Sequence, residues 1–542
     1  MRAGHIPATL FGFIRHRLRG GRRELAACRL MLAASALVAL LAPMSVSADV
    51  VLAPLFTDHA VLQQGKPVPV WGRAAPNEKV TVAFRDQVVA ATAGADGRWM
   101  VYLDALKPGA PAELVVSGQN TIRLQDVLVG EVWVCSGQSN MEFRVWGPPG
   151  DVYRANHADE EVAAANFPLI REFKVDRAVA AQPAGTARGA WVVCSPATAG
   201  AFSAVGYFFA RDLFERLGVP VGIITAAYGG TSIESWMSDY ALKSNPGFAV
   251  VDQRWAEALV GWPEKLAAYH VAVARQEKED AAEKAAGPAK YAAYLKARPW
   301  IPPPASPESP DAPRSLFNGM INPLLPWALR GVLWYQGEGN TGRPVEYRAL
   351  FEAMIRAWRA HWGQGDLPFY WVQLANYDGG DGRGTGWARL REAQAQALAL
   401  PQTGMAVAID IGEPDNIHPR NKQEVGRRLA LIARHHLYNI SGDWTGPTFA
   451  SAGREGAAMR VRFDHADGGL VAHARPPDSF QIAGADHRFV PATARIDRDS
   501  VIVSAPAVTA PVAVRYAWTN APDANLFNGA GLPAAPFRTD DW

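Results

Sequence analysis

Five apolar stretches, at 127–135, 219–227, 331–335, 369–374 and 405–411, restrict the fold of this chain more than any other feature. A strand buried on both faces reads as a continuous apolar run rather than as an alternation of apolar and polar residues. Several of the segments between these runs carry the periodicity of helices, at 204–217, 347–362, 389–400 and 422–438. Strands alternating with helices predict an α/β domain with a mainly parallel sheet, here over 126–440. Ahead of it, residues 49–125 hold β-branched and aromatic runs such as 80–84 and 99–103, with Ala95-Asp96-Gly97 as a turn, and are expected to form a small β-sandwich. Runs at 459–463, 500–503 and 512–518 predict a C-terminal β region over 441–542. Residues 240–315 interrupt the pattern: 255–298 are rich in Ala, Lys and Glu, and 299–313 hold seven prolines. They read as a helical, Pro-rich insertion near the mouth of the site.

The first 48 residues read as an export signal. Seven arginines against one acid, Glu24, precede the apolar run 30–41, and Val46-Ser47-Ala48 supplies small residues for cleavage before Asp49. Twelve apolar residues are too few for a bilayer, which needs about 20. The chain is thus expected to be exported, to the periplasm or the medium, with no membrane contact after signal cleavage. Beyond residue 48 there remain 47 basic and 51 acidic side chains, a net of −4. That balance gives no electrostatic reason for a nucleic-acid partner. Two cysteines remain, Cys135 and Cys194, which either pair in an oxidising compartment or stay as buried thiols. The adjoining His435 and His436 point to different faces of a helix, so no metal site is expected there.

Three clusters sit just after apolar runs, where open α/β sheets place their ligands. In Cys135-Ser136-Gly137-Gln138-Ser139-Asn140-Met141-Glu142, small residues allow a sharp turn that exposes Ser139. A second loop, Asp410 to Pro419, carries Asp415 and His418 three residues apart. A serine hydroxyl needs a base to become nucleophilic, and an imidazole oriented by a carboxylate is suited to that near neutral pH. If Asp415 is not the orienter, Glu413 and Asp410 are the acids left in that loop. The third cluster is split between Tyr228-Gly229-Gly230-Thr231-Ser232 and Gln336-Gly337-Glu338-Gly339-Asn340. A glycine N–H and a side-chain amide are donors of the kind a tetrahedral oxyanion requires. The Gly-x-Ser-x-Gly elbow of α/β-hydrolases is absent, because Met141 holds its last position.

Together, Gly137-Gln138-Ser139-Asn140-Met141, Gly229-Gly230-Thr231, Gln336-Gly337-Glu338 and Asp415-Asn416-Ile417-His418 resemble the sialate O-acetylesterase family, within the SGNH hydrolases. The resemblance implies a three-layer, flavodoxin-like α/β fold and a carbohydrate O-acetylesterase. It implies Ser139 as nucleophile, His418 as general base and acid, and Asp415 as its orienter. Gly230 and Gln336 would hold the oxyanion with the N–H of Ser139. Gln138, Asn140, Glu338 and Asn340 would bind substrate, the last two alternatively bracing the loop. No cofactor or metal is implied, and the partner is an acetylated sugar or polysaccharide such as sialate, xylan or xyloglucan. Of the 18 tryptophans, Trp146, Trp236, Trp300, Trp334 and Trp387 are the pocket candidates, with Trp133 assigned to packing. Arg144, Arg389 and Arg391 are candidates for a sialate carboxylate. The rival readings are a catalytically inactive carbohydrate-binding protein and an SGNH lipase or thioesterase with the insertion as its lid.

Overall fold

The computed structural model describes residues 49–148, 153–298, 301–379 and 384–542, so the expected signal segment 1–48 lies outside the described residues. The apolar runs supply five strands of an eleven-stranded sheet whose main path consists of β1 (Thr121–Gly137), β2 (Ile170–Lys174), β3 (Trp191–Val193), β4 (Val221–Ala227), β5 (Gly331–Tyr335), β6 (Phe369–Val372) and β7 (Thr403–Ala406). Their order is β3-β2-β4-β1-β5-β6-β7, all neighbours parallel except the edge pair β3 and β2. The chain therefore reverses its direction of travel across the sheet at β1, the kind of switch point where α/β sheets bind ligands. The last run ends as a strand at Ala406, five residues before the run itself ends at Ile411, because β7 is an edge strand whose neighbour β6 ends at Val372.

Side chains alternate between the two faces of the sheet, and helices cover both. On one face, Trp133 meets Phe209 of the helix Ala204–Leu217 and Tyr370 meets His436 of Lys422–Tyr438, at ring separations of 4.9 and 5.9 Å. On the other, Trp334 and Trp371 pack on Trp358 and Phe351 of Pro344–Trp362, at 5.9 and 5.1 Å. The expected α/β class is the class of the fold. Cys135 and Cys194 are free and buried, and burial pushes the Cys194 thiol up to about 12.

The first strand of this sheet does double duty. Its N-terminal part pairs antiparallel with Ala112–Ser117 of the preceding β-rich region. Its C-terminal part pairs parallel with β4 and β5. The expected boundary at 125 thus falls inside one continuous strand. The C-terminal region adds antiparallel sheets, among them Thr448–Glu455, Ala458–Asp464, Ser500–Ser504 and Thr493–Asp497. It is locked to the central domain by Arg391, on the helix Gly386–Gln396. This buried guanidinium donates to the carbonyls of Leu374 and Ala375 at 2.8 and 3.0 Å and of Thr519 and Asn520 at 2.9 and 2.6 Å. Burial holds its pKa down at about 9. Arg391 is therefore a clamp between segments and not the expected receptor for a substrate carboxylate.

Within the insertion, the helices Ala249–Ala258, Trp262–Ala285 and Pro288–Ala297 follow one another, and Trp262–Ala285 buries no residue. No helix among the described residues is long and apolar enough to cross a membrane. Replacing Arg391 by Met leaves the three buried carbonyls of Leu374, Ala375 and Asn520 short of a donor, at about 1–3 kcal/mol for each unsatisfied group. Even with partial relaxation, we expect Arg391→Met to lower stability by about 3 kcal/mol or more, measured as a drop in the urea midpoint with an unchanged slope.

Candidate active site

Gly137 ends β1 with φ +138°, and a Cβ there would stand 2.1 Å from the carbonyl oxygen of Tyr335. Only glycine permits that approach. It allows the N–H of Gln138 to donate to the Tyr335 carbonyl at 3.0 Å, and the chain then turns into the short helix Ser139–Glu142. Ser139 is the first residue of that helix, so its N–H has no acceptor within it. The side chain of Ser139 meets that of His418, with Oγ 2.9 Å from Nε2, across 279 residues of sequence. The ring of Tyr153 lies 5.0 Å from the imidazole. The expected union of Ser139 and His418 is thus present.

Asp415 does not join them. Its side chain is exposed, and among the described residues it makes no hydrogen bond to His418. The loop is instead held by Asn416 and Glu413. The Asn416 amide donates to Glu413 at 3.0 Å and to the His418 carbonyl at 3.0 Å, and the His418 N–H returns a bond to Asn416 Oδ1 at 3.0 Å. Glu413 pairs with Arg420, and Asp410 pairs with Arg428. The two remaining acids of the loop are therefore both committed elsewhere.

The expected oxyanion donors divide in the same way. Gly230 is exposed at φ +77°, and its N–H has no partner among the described residues. Neighbouring Gly229 packs on Ser139, with a built Cβ only 3.3 Å from the serine Cβ, and its N–H is fixed by Glu142 at 3.0 Å. Glu142 is held in turn by Arg177, which lies 4.5 Å above the Tyr228 ring. Gln336, by contrast, is fully buried. Its amide donates to Asn340 Oδ1 at 2.8 Å and to the Thr231 carbonyl at 3.2 Å, and its oxygen accepts from Tyr347 at 3.0 Å. Its donors are consumed in tying the Gly230 loop to the segment after β5, so it does not serve as the expected oxyanion group. Asn340 is equally committed, to Gln336, Ile233 and Glu234, and braces the loop. Gln138 accepts from the N–H groups of Gly337 and Gly339 at 3.3 and 3.2 Å, which leaves its own NH2 uncommitted beside Ser139.

A family model described as carbohydrate esterase, sialic acid-specific acetylesterase, matches residues 129–259 and 313–434. The rat sialate O-acetylesterase is 29% identical over 535 residues, covering 89% of this chain and 93% of that protein. The orangutan (Pongo abelii) sialate O-acetylesterase is 30% identical over 407 residues, covering 68% and 67%. The crystal structure of a novel carbohydrate acetylesterase from Xanthomonas citri superposes with a TM-score of 0.76 at 41% identity, covering 91% of this chain and all of that one. The chain belongs to the sialic acid-specific acetylesterase family of carbohydrate esterases. It is an enzyme of the carbohydrate O-acetylesterase class.

Beneath the serine and histidine of this esterase runs a polar network that the sequence did not announce. Lys422, fully buried, donates to Asn140 Oδ1 at 2.5 Å and lies 4.7 Å from the Phe143 ring and 5.2 Å from that of Tyr335. The Asn140 amide donates to Glu338 at 2.6 Å and to the Ile417 carbonyl at 3.0 Å. Asn140 and Glu338, expected at the substrate, are thus joined beside Ser139 and His418. The second oxygen of Glu338 is buried without a partner, and burial raises its carboxyl pKa. Burial lowers Lys422 to about 7.

The expected pocket aromatics mostly belong to the core. Trp236 and Trp334 are fully buried and Trp387 nearly so, while Trp300 lies outside the described residues. Trp133 is buried, as assigned, and Trp146 is exposed, with its N–H on Asp159. Arg389 is exposed on its helix.

His418 is lowered to about 4, first by burial and then by the positive charge of Lys422. A depressed imidazole pKa keeps the base neutral, and so able to accept a proton, at every pH above that value. We therefore expect the acidic limb of kcat/KM to lie near pH 4 rather than near the ordinary histidine value. Lys422→Met removes a charge that opposes the imidazolium, so the limb should move to higher pH. A pH–rate profile of the two proteins on p-nitrophenyl acetate is the check.

Proposed function

We propose that the protein is an exported serine esterase that removes O-acetyl groups from sugars through a covalent acetyl-enzyme. The single observation that carries this reading is the Ser139 Oγ to His418 Nε2 contact of 2.9 Å beside the unpaired N–H groups of Ser139 and Gly230. The reading takes the central domain as a three-layer, flavodoxin-like SGNH hydrolase with flanking β-sandwiches. The reversal of strand order at β1 supports this. Export is supported by the arginines, apolar run and small residues of 1–48.

In the first half-reaction Ser139 Oγ attacks the acetyl carbonyl carbon while His418 Nε2 takes the hydroxyl proton. The carbonyl electron pair moves onto oxygen, where the N–H groups of Ser139 and Gly230 receive it. The intermediate collapses by breaking the bond to the sugar oxygen, to which His418 returns the proton. Water then attacks the acetyl-enzyme with His418 again as base, and acetate leaves with Ser139 restored. Gln138, with a free amide beside the nucleophile, faces the substrate. The names of the relatives set the substrate field: sialate O-acetyl esters for the mammalian proteins and an acetylated carbohydrate for the Xanthomonas citri one.

Ser139→Ala and His418→Ala should each lower acetate release by about 10³-fold or more with the fold retained. Asp415→Asn should cost less than either, because no hydrogen bond ties Asp415 to the imidazole. The measurement is acetate release from p-nitrophenyl acetate and from acetylated sialate, xylan and xyloglucan. Sugar binding without acetate release points instead to an inactive binder, and a rate rising from acetyl to octanoyl esters to a lipase or thioesterase. Full activity of Ser139→Ala ends the mechanism.

A further inference from the structure

Next to the catalytic groups lies a cavity of about 290 Å³ that the proposed reaction does not use. One side is Gly230 and Gly339, from the two loops that flank Ser139. The other is the helix Ala249–Ala258 of the insertion, which brings Arg254 and Trp255, with Asp311 from the proline-rich stretch beyond it. The volume sits at the low end for small-molecule sites, which run from about 300 to 1,000 Å³. It is room for one ring-sized group.

The polar groups around this space are incompletely used. Arg254 gives one nitrogen to Glu346 at 2.8 Å, and its Nη1 is buried without a partner. Arg343 gives one nitrogen to Glu234 at 3.0 Å, and its Nε is likewise buried without a partner. Both side chains are about one-third exposed, so their heads reach the cavity wall. Asp311 spends one carboxylate oxygen on Ser232, through the N–H at 3.0 Å and the hydroxyl at 3.3 Å, and keeps the other free to accept. Buried donors without partners are rare because they are costly, and two behind one cavity wall leave hydrogen-bonding capacity unused beside this space. Trp255 adds a half-buried aromatic ring. Uncommitted donors, an uncommitted acceptor and an aromatic face are what the hydroxyls and the C–H face of a sugar ring require.

Charge decides which sugar. Three acids, Glu234, Asp311 and Glu346, surround two guanidinium groups, so a further carboxylate enters against the local balance. We propose that this cavity is a subsite for a neutral sugar ring adjoining the acetylated one, with Trp255, Arg254 and Asp311 as specificity-determining residues. The inference rests on the esterase reading above. It makes the enzyme a reader of glycans at least two units long.

The test compares kcat/KM on mono-O-acetylated xylotetraose, on mono-O-acetylated sialic acid and on p-nitrophenyl acetate, for the wild type, Trp255→Ala and Trp255→Phe. The expected result is that Trp255→Ala lowers the xylotetraose value about tenfold relative to that for p-nitrophenyl acetate, mainly through KM. Trp255→Phe, which keeps an aromatic face, should restore most of the loss. A wild type inactive on all three substrates ends the esterase reading itself. Turnover in which the ratio does not move overturns the subsite alone. A loss confined to the sialic acid ester overturns the neutral assignment.

Discussion

The carbonyl of Tyr335 comes so near to Gly137 that no side chain fits between them, and the rest of the site depends on that approach. It draws together the carboxyl ends of two neighbouring strands. The turn carrying Ser139 and the loop from Gln336 to Asn340 then leave the sheet side by side. The buried amide of Gln336 extends the same constraint sideways to Thr231, which fixes the turn that presents Gly230. Glu142 completes the arrangement by holding Gly229 against Ser139. The hydroxyl is therefore positioned by backbone proximity and by buried amides, and the imidazole arrives from a separate loop stiffened by Asn416.

Much of this was legible in the sequence because apolar run length and loop composition are local properties. The runs at 331–335 and 369–374 became strands, and the periodicity at 204–217 and 422–438 became helices with those limits. Ser139, Gly230 and His418 were legible because they sit in loops that follow apolar runs. What composition does not encode is direction. Gln336 and Asp415 have the residue types that the chemistry needs, yet one side chain turns inward to brace a neighbour and the other outward to solvent. Trp236, Trp334 and Trp387 fail as pocket residues for the same reason: an indole serves a core as well as a binding face.

Other features were out of reach because their meaning arises only from long-range pairing. Lys422 reads as an ordinary first-turn helix residue until the fold buries it against Asn140, 282 residues earlier. Arg177 gains its role from Glu142, and Arg391 from carbonyls some 130 residues away. No periodicity or spacing marks such residues, since each is defined by a partner that the chain meets only after folding.

One consequence follows from the 17-residue strand that leads into Ser139. Because its first half pairs with the N-terminal strands and its second half lies at the centre of the parallel part of the same sheet, the leading β-rich region is not an appendage that can be trimmed or exchanged. Any cut near residue 125 severs a continuous ladder and frees the end of the strand on which Ser139 rides. The two regions therefore have to be inherited and engineered as one mechanical piece.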